Sequence, residues 1–159
     1  MYDIEKMLLE GRVIFPIVNT KGEVCGASGR IHKNKSGQAK YINRGKGFIG
    51  NILTEEKTII ITEGNITVLL AQLQKYDNVL AYAGFDMSDE DIAFFKEKDK
   101  NVILFFEQDE CGKKAANRLA ERFKNIGVNV YVFESDKSID MIDYLMQGKS
   151  IDDIIKVAK

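Results

Sequence analysis

Two stretches of this 159-residue chain end an apolar run in carboxylates: "TIIITEG" (58–64) and "NVILFFEQDECG" (101–112). The first delivers Glu63 and Gly64, and the second delivers Glu107, Gln108, Asp109 and Glu110. A third stretch, "SIDMIDYL" (138–145), adds Asp140 and Asp143. Carboxylates a few ångströms apart raise one another's pKa and destabilise a fold unless a cation sits among them. Mg²⁺, or Mn²⁺ in its place, meets that need with oxygen ligands, commonly one or two carboxylates plus substrate phosphates. Two such ions flanking a phosphorus centre stabilise both its attacking and its leaving oxygen. The plainer alternative is that acids leaving strands cap the next helix or face water. Gly64 and Gly112 suit either reading, as places where backbone approaches a ligand closely or as simple turns.

These acids need elements to hold them. From residue 58 onward, "TIIIT", "NVLAYA", "NVILFF" and "VNVYVF" alternate with amphipathic stretches of helical length, which predicts a parallel sheet. Apolar residues at nearly every strand position require cover on both faces. After Gly112, a helix follows from Ala116, Leu119, Phe123 and Ile126, with Gly127 as its stop. Ser88 with Asp91, and Ser150 with Asp153, have the spacing of capping boxes. Open α/β sheets bind ligands at the carboxyl ends of their strands, where Glu63 and Glu107 fall. Period-two spacing puts Glu107 and Asp109 on one face with Gln108 turned aside.

The N-terminal part has a different rhythm. Residues 3–10 could form one short helix. "RVIFPIVN" and "VCGASGRI" read as strands joined by "TKGE", and "AKYIN" as a third after the turn-rich "KNKSGQ". Pro16 lacks a ladder donor, which predicts an edge or a bulge at its strand. Between Arg12 and Lys46, eight basic residues face one acid, Glu23, a local charge of +7 against a net charge of -1 for the whole chain. That split suggests a polyanion-facing front on an acidic body, the alternative being a solvated hairpin.

Composition narrows the classes. With 45% apolar and 30% charged residues, the chain suits one compact domain with a small appendage. No apolar run approaches the roughly 18 residues of a membrane span, and the first residues lack signal-peptide character, so the expected setting is cytoplasmic. Cys25 and Cys111, without CxxC spacing, read as plain thiols. His32 reads as a surface residue. Met87, Met141 and Met146 read as core filler. Tyr41 and Phe48 could stack on bases, although aromatic residues in strand-like segments more often pack in the core.

"IIITEGNITVLLAQL", "AYAGFDMSDEDIAFF", "VILFFEQDECGKKAA" and "SIDMIDYL", in this order, resemble the Toprim domain. With "RVIFPIVNTKGEVCGASGRI", "KYIN" and "RGKGFIG" ahead of them, the chain looks closest to the catalytic core of bacterial DNA primases. The resemblance spans Arg12 to Leu145. It implies an α/β Toprim, Rossmann-like parallel sheet flanked by helices (57–159), preceded by a small basic antiparallel subdomain (1–56). It also implies roles for single positions: Glu63 as general base or metal ligand, Glu107 and Asp109 as the paired acids, and Asp140 as a later acid helping to hold metal. Arg30, Lys40, Arg44 and Lys46 fall where primases carry basic residues facing template and incoming nucleotide.

Departures accompany the match. The family's usual Asp-Gly-Asp is here Glu107-Gln108-Asp109, and an aspartate three residues after the Glu-Gly pair is here Thr67. No zinc-binding or helicase-binding module is recognisable, so those partners are expected on other chains. The implied activity is two-metal synthesis of short RNA primers on single-stranded DNA from nucleoside triphosphates. Two alternatives are a Toprim nuclease and a nucleic-acid-binding module that has lost its chemistry. A type IA topoisomerase is disfavoured, because none of the six tyrosines has a context suggesting the nucleophile.

Overall fold

The structure is a computed structural model that describes residues 11–31, 39–84, 86–134 and 140–157. In chain order it forms β1 (Arg12–Val18), β2 (Val24–Ile31), β3 (Tyr41–Arg44), β4 (Gly47–Ile49), β5 (Thr58–Thr62) and α1 (Asn65–Leu73). There follow β6 (Val79–Ala83), α2 (Asp89–Glu97), β7 (Asn101–Phe105), α3 (Glu110–Asn125), β8 (Val130–Val132), α4 (Met141–Met146) and α5 (Ile151–Val157).

The four later strands form the expected parallel array, with β5 between β6 and β7, and β8 outside β7. Alternate side chains leave opposite faces. Ile60, Ile103 and Phe105 pack with Val68 and Ala71 of α1, Met141 and Leu145 of α4, and Ile151 and Ile154 of α5. Ile59, Ile61, Val102 and Leu104 pack with Ile92 and Phe95 of α2 and with Ala116, Leu119 and Phe123 of α3. Cover on both faces is why these strands read as unbroken apolar runs. The chain leaves β5 toward one face and β7 toward the other, so a crevice opens between their carboxyl ends, the topological switch point of such sheets.

The N-terminal strands are antiparallel, and β1 and β2 pair from Arg12↔Ile31 to Val18↔Val24. Asn19 closes their turn, its Oδ1 accepting from the amides of Lys21 and Glu23 at 2.9 and 3.0 Å. The register slips between Ile17 and Val18, beside Pro16, and β1 meets β4 only at Val18↔Phe48. The proline therefore costs no ladder bond on that side, as its sequence position predicted. Gly26, Ala27, Ser28 and Gly29 are all buried. A side chain at Gly26 would begin 2.1 Å from the Arg44 carbonyl oxygen, so β2 and its neighbour can approach only because nothing is there.

"RGKGFIG", for which the sequence predicts no strand, contains β4. This three-residue strand pairs with β6 from Gly47↔Ala83 to Ile49↔Ala81 and fuses both halves into one eight-stranded sheet, ordered β3-β2-β1-β4-β6-β5-β7-β8. Phe48 is fully buried and meets Tyr82 and Phe95 edge-on at 5.2 and 5.8 Å. That packing rules out its reading as a base-stacking residue.

Other expectations resolve locally. Ser88 caps α2, accepting from the Asp91 amide at 3.1 Å, and Ser150 and Asp153 form a reciprocal box at 3.2 and 3.3 Å. Gly127 ends α3 at φ +77°. The helix begins at Glu110, before Gly112, and stops at Asn125, leaving Ile126 outside it and 39% exposed rather than in the core. Met87 and Met141 are core residues, but Met146 is 74% exposed, because it lies on the outer side of the short α4. The possible helix at 3–10, His32 and "KNKSGQ" lie outside the described residues. Among the described residues, no helix is long and apolar enough to cross a membrane.

Phe48→Ala should cost about 3–5 kcal/mol, the range for emptying a buried phenylalanine site. Denaturant unfolding should show a lower midpoint. A change under 1 kcal/mol would mean that β4 does not hold the sheet together.

Candidate active site

Glu63 follows β5 directly. β7 stops at Phe105, so Glu107 and Asp109 lie in the loop beyond it and do not share a strand face as the spacing suggested. Asp109 becomes the N-cap of α3, its Oδ1 accepting from the Gly112 amide at 2.7 Å. Gln108 does turn aside. Its Nε2 donates to the carbonyls of Phe106 and Phe133 at 2.9 and 3.2 Å, stitching the loop to the end of β8. Glu63 Oε2 accepts from the backbone N–H of Glu107 at 2.9 Å, linking the two strand ends across the crevice. A side chain at Gly112 would begin 2.2 Å from the Glu107 carbonyl oxygen, so this glycine makes room for the chain's own loop rather than for a ligand.

A cleft of about 130 Å³ opens there, lined by Arg30, Lys40, Tyr41, Glu63, Glu107 and Asp140, with Thr67 on its wall. Two cations from the antiparallel strands thus face three carboxylates from the parallel sheet. The Arg30 guanidinium and the Lys40 ammonium lie 5.8 and 5.9 Å from the centre of the Tyr41 ring, and the buried Arg30 Nε has no hydrogen-bond partner among the described residues. Asp140 caps α4, its Oδ1 accepting from the Asp143 amide at 2.7 Å. A larger cleft of about 330 Å³ adjoins the first, sharing Tyr41, Glu63 and Phe106 and adding Asn43, Asn65 and Tyr82.

Other candidates stand apart. Asp109 lines neither cleft, nor do the exposed Arg44 and Lys46. Arg12, counted with the basic front, is only 6% exposed and donates to the carbonyls of Gly29 and Ala39 at 3.3 and 3.0 Å, bracing β2 against the chain entering β3. Sequence reasoning overlooked Asn65 and Ser28, which are buried and joined at 2.7 Å. Only the burial of an asparagine straight after Glu63-Gly64 marks the pair, and the sequence carries no sign of that burial.

Burial raises the Glu63 pKa above its ordinary value, and the charges of Glu107 and Asp109 push the same way, against the Glu107 amide. Among the described residues, no three His, Cys, Asp or Glu side chains form a closed metal cage. The donor chemistry nonetheless fits Mg²⁺ held in its common manner, by one or two carboxylates with phosphate oxygens completing the shell. Glu63 and Glu107 are the paired donors, and Asp140 borders the same space.

The architecture recurs in solved structures. The Aquifex aeolicus primase, covering its zinc-binding and RNA polymerase domains, superposes with a TM-score of 0.77 at 23% identity, over 93% of this chain and 40% of that one. The Escherichia coli primase catalytic core gives 0.76 at 22%, over 92% and 51%. A primase catalytic domain bound to single-stranded DNA gives 0.75 at 21%, over 93% and 52%. These likenesses establish the fold class, that of bacterial primase catalytic cores. Residues 60–145 match the Toprim-like family model, and the chain belongs to that family. Residues 4–48 match the model of the DNA primase catalytic core, N-terminal domain. The DNA primase of Staphylococcus epidermidis is 29% identical over an alignment of 147 residues that covers 84% of this chain and 24% of that protein. The chain thus spans about a quarter of the length of the curated relatives it matches.

A Glu63→Gln variant keeps an acceptor for the Glu107 amide and removes the repulsion. Because the folded pKa of Glu63 lies above its unfolded value, its ionisation destabilises the fold above that folded pKa and has no effect below the unfolded one. The variant should therefore melt about 1–2 °C higher at neutral pH, an advantage that disappears as pH falls below the ordinary carboxylate range. Thermal melts across pH check this; a constant offset would mean that the carboxylate feels no like charge.

Proposed function

We propose that the chain is the central part of a primase-type nucleotidyltransferase, which makes short RNA primers on single-stranded DNA from nucleoside triphosphates. One observation carries the reading: a single cleft sets Arg30 and Lys40 opposite Glu63, Glu107 and Asp140. A metal-bound triphosphate needs that opposition, with cations for its phosphates and carboxylates for its metals. The family membership and the primase-core fold point the same way.

In this reading Glu63 and Glu107 would hold Mg²⁺ or Mn²⁺, with Asp140 bordering the same cleft and the charge of Asp109 acting on Glu63 from outside it, and the metal would neutralise charge at the phosphorus centre. Arg30 takes a phosphate oxygen, since its guanidinium fork matches phosphate geometry and its Nε lacks a partner among the described residues. Lys40 adds a point charge beside the Tyr41 ring. Where Glu63 serves as general base rather than as metal ligand, it would accept the proton of an attacking 3′-hydroxyl. Arg44 and Lys46, on the outer surface, contact template backbone, which positions a strand without reading its sequence. Residues 1–56 then form the gripping part and residues 57–159 the catalytic part. Zinc-module and helicase functions fall to other segments or chains, and the work is cytoplasmic.

The cap made by Asp109 and the absence of a closed cage among the described residues favour a second reading, a module that binds nucleic acid and has lost its chemistry. Incubating the chain with single-stranded DNA, labelled ribonucleotides and Mn²⁺ separates the two. Primase chemistry predicts new short RNA, reduced at least 100-fold in Glu63→Gln and at least tenfold in Arg30→Ala. Salt-sensitive DNA binding with no product in any metal supports the binding module, and shortened DNA supports a nuclease.

A further inference from the structure

Three polar side chains cross the boundary between the basic strands and the carboxylate turn. Asn65, the first residue of α1, lies two positions after Glu63 and donates from Nδ2 to Ser28 Oγ at 2.7 Å. Ser28 is fully buried in β2, and its hydroxyl donates onward to Asn43 Oδ1 at 2.6 Å. Asn43 is the cross-strand partner of Ser28 on β3. The chain of donors runs in one direction, from α1 through β2 to β3, over a sequence separation of 37 residues in its first link.

Its placement suggests a use. β2 carries Arg30 next to its last residue and two residues after Ser28, and β3 begins at Tyr41, next to Lys40 and two residues before Asn43. Glu63 stands two residues before Asn65. Each member of the trio is thus one short step along the backbone from a residue lining the cleft. The sheet itself links these parts only remotely, since four strands separate β3 from β5 in the order and β1 meets β4 at one residue pair. The Asn65–Ser28 bond is a direct strut across that gap, and burial strengthens it by excluding competing water.

We infer that Asn65, Ser28 and Asn43 are positioning residues that fix the spacing between the cations and the carboxylates. Their functional consequence rests on the primase reading, while the mechanical coupling does not. Breaking the strut lets the basic hairpin drift relative to Glu63, so metal and triphosphate no longer assist each other, although each still finds its own ligands.

Two measurements on the full chain test this. The first is amide hydrogen exchange in Ser28→Ala and Asn65→Ala. Ser28→Ala should speed exchange about tenfold at 64–68, and Asn65→Ala should do so at 41–44, because each change releases the element across the gap. Exchange that quickens only in the substituted element overturns the inference. Should Ser28→Ala prove too unstable to purify, Asn43→Ala cuts the strut from its exposed end and should quicken the same turn by a smaller factor.

The second measurement is the affinity for Mn²⁺ with and without adenosine 5′-(β,γ-imido)triphosphate. The parent should bind Mn²⁺ about tenfold tighter with the nucleotide, and Asn65→Ala should keep under threefold of that coupling while binding Mn²⁺ alone within twofold of the parent. Full coupling in Asn65→Ala overturns the positioning role and leaves the primase reading intact. A parent without coupling overturns the primase reading, and the exchange experiment then decides the strut alone.

Discussion

Two parallel strands end side by side, and the chain leaves them toward opposite faces of the sheet. From that divergence at β5 and β7 the rest of the site follows. It leaves a gap that no helix fills, with backbone amides and carboxylates at its rim. Glu63 spans the gap by accepting from the Glu107 amide, a bond that ties the two strand ends together and places a charged group where its neighbours repel it. A carboxylate kept under such stress, in a cleft shared with other acids, is a common signature of a functional site.

The core is arranged so that this edge stays open. On the face covered by α2 and α3, Phe48, Phe95 and Phe123 form an edge-to-face series with centroids 5.8 and 5.3 Å apart. Phe48 belongs to β4, so the same series anchors the antiparallel strands to the parallel sheet. On the other face, Phe105 meets Phe133 at 4.2 Å and Tyr144 at 5.7 Å, holding α4 and hence Asp140 beside the cleft. Apolar packing thus decides where the charged groups stand.

Charge segregation along the chain becomes opposition in space. The basic residues lie early in the sequence and the acids late, yet Arg30 and Lys40 come to face Glu63, Glu107 and Asp140 across one small cleft. Not every early cation takes part: Arg12 is consumed in bracing backbone carbonyls, and Arg44, at the end of the edge strand β3, and Lys46, just beyond it, are exposed to solvent outside the cleft. Net charge over a segment therefore overstated the front, since counting cannot separate a buried arginine from an exposed one.

Periodicity alone determined much of this protein. Unbroken apolar runs in "TIIIT" and "NVILFF" required cover on both faces, and their endings placed Glu63 and Glu107 at the ligand-binding edge. Local rules also settled the caps at Ser88 and Ser150, the stop at Gly127 and the irregularity at Pro16, because each depends on atoms a few residues away. What the sequence left open depends on partners distant along the chain. β4 is three residues long and exists only because β1 and β6 flank it. Met146 was left exposed by the way α4 docks. The Asn65–Ser28 bond joins residues that no local pattern relates. Short-range preferences write themselves into sequence as spacing, whereas contacts between remote segments arise only when the sheet closes and burial selects which polar groups must meet.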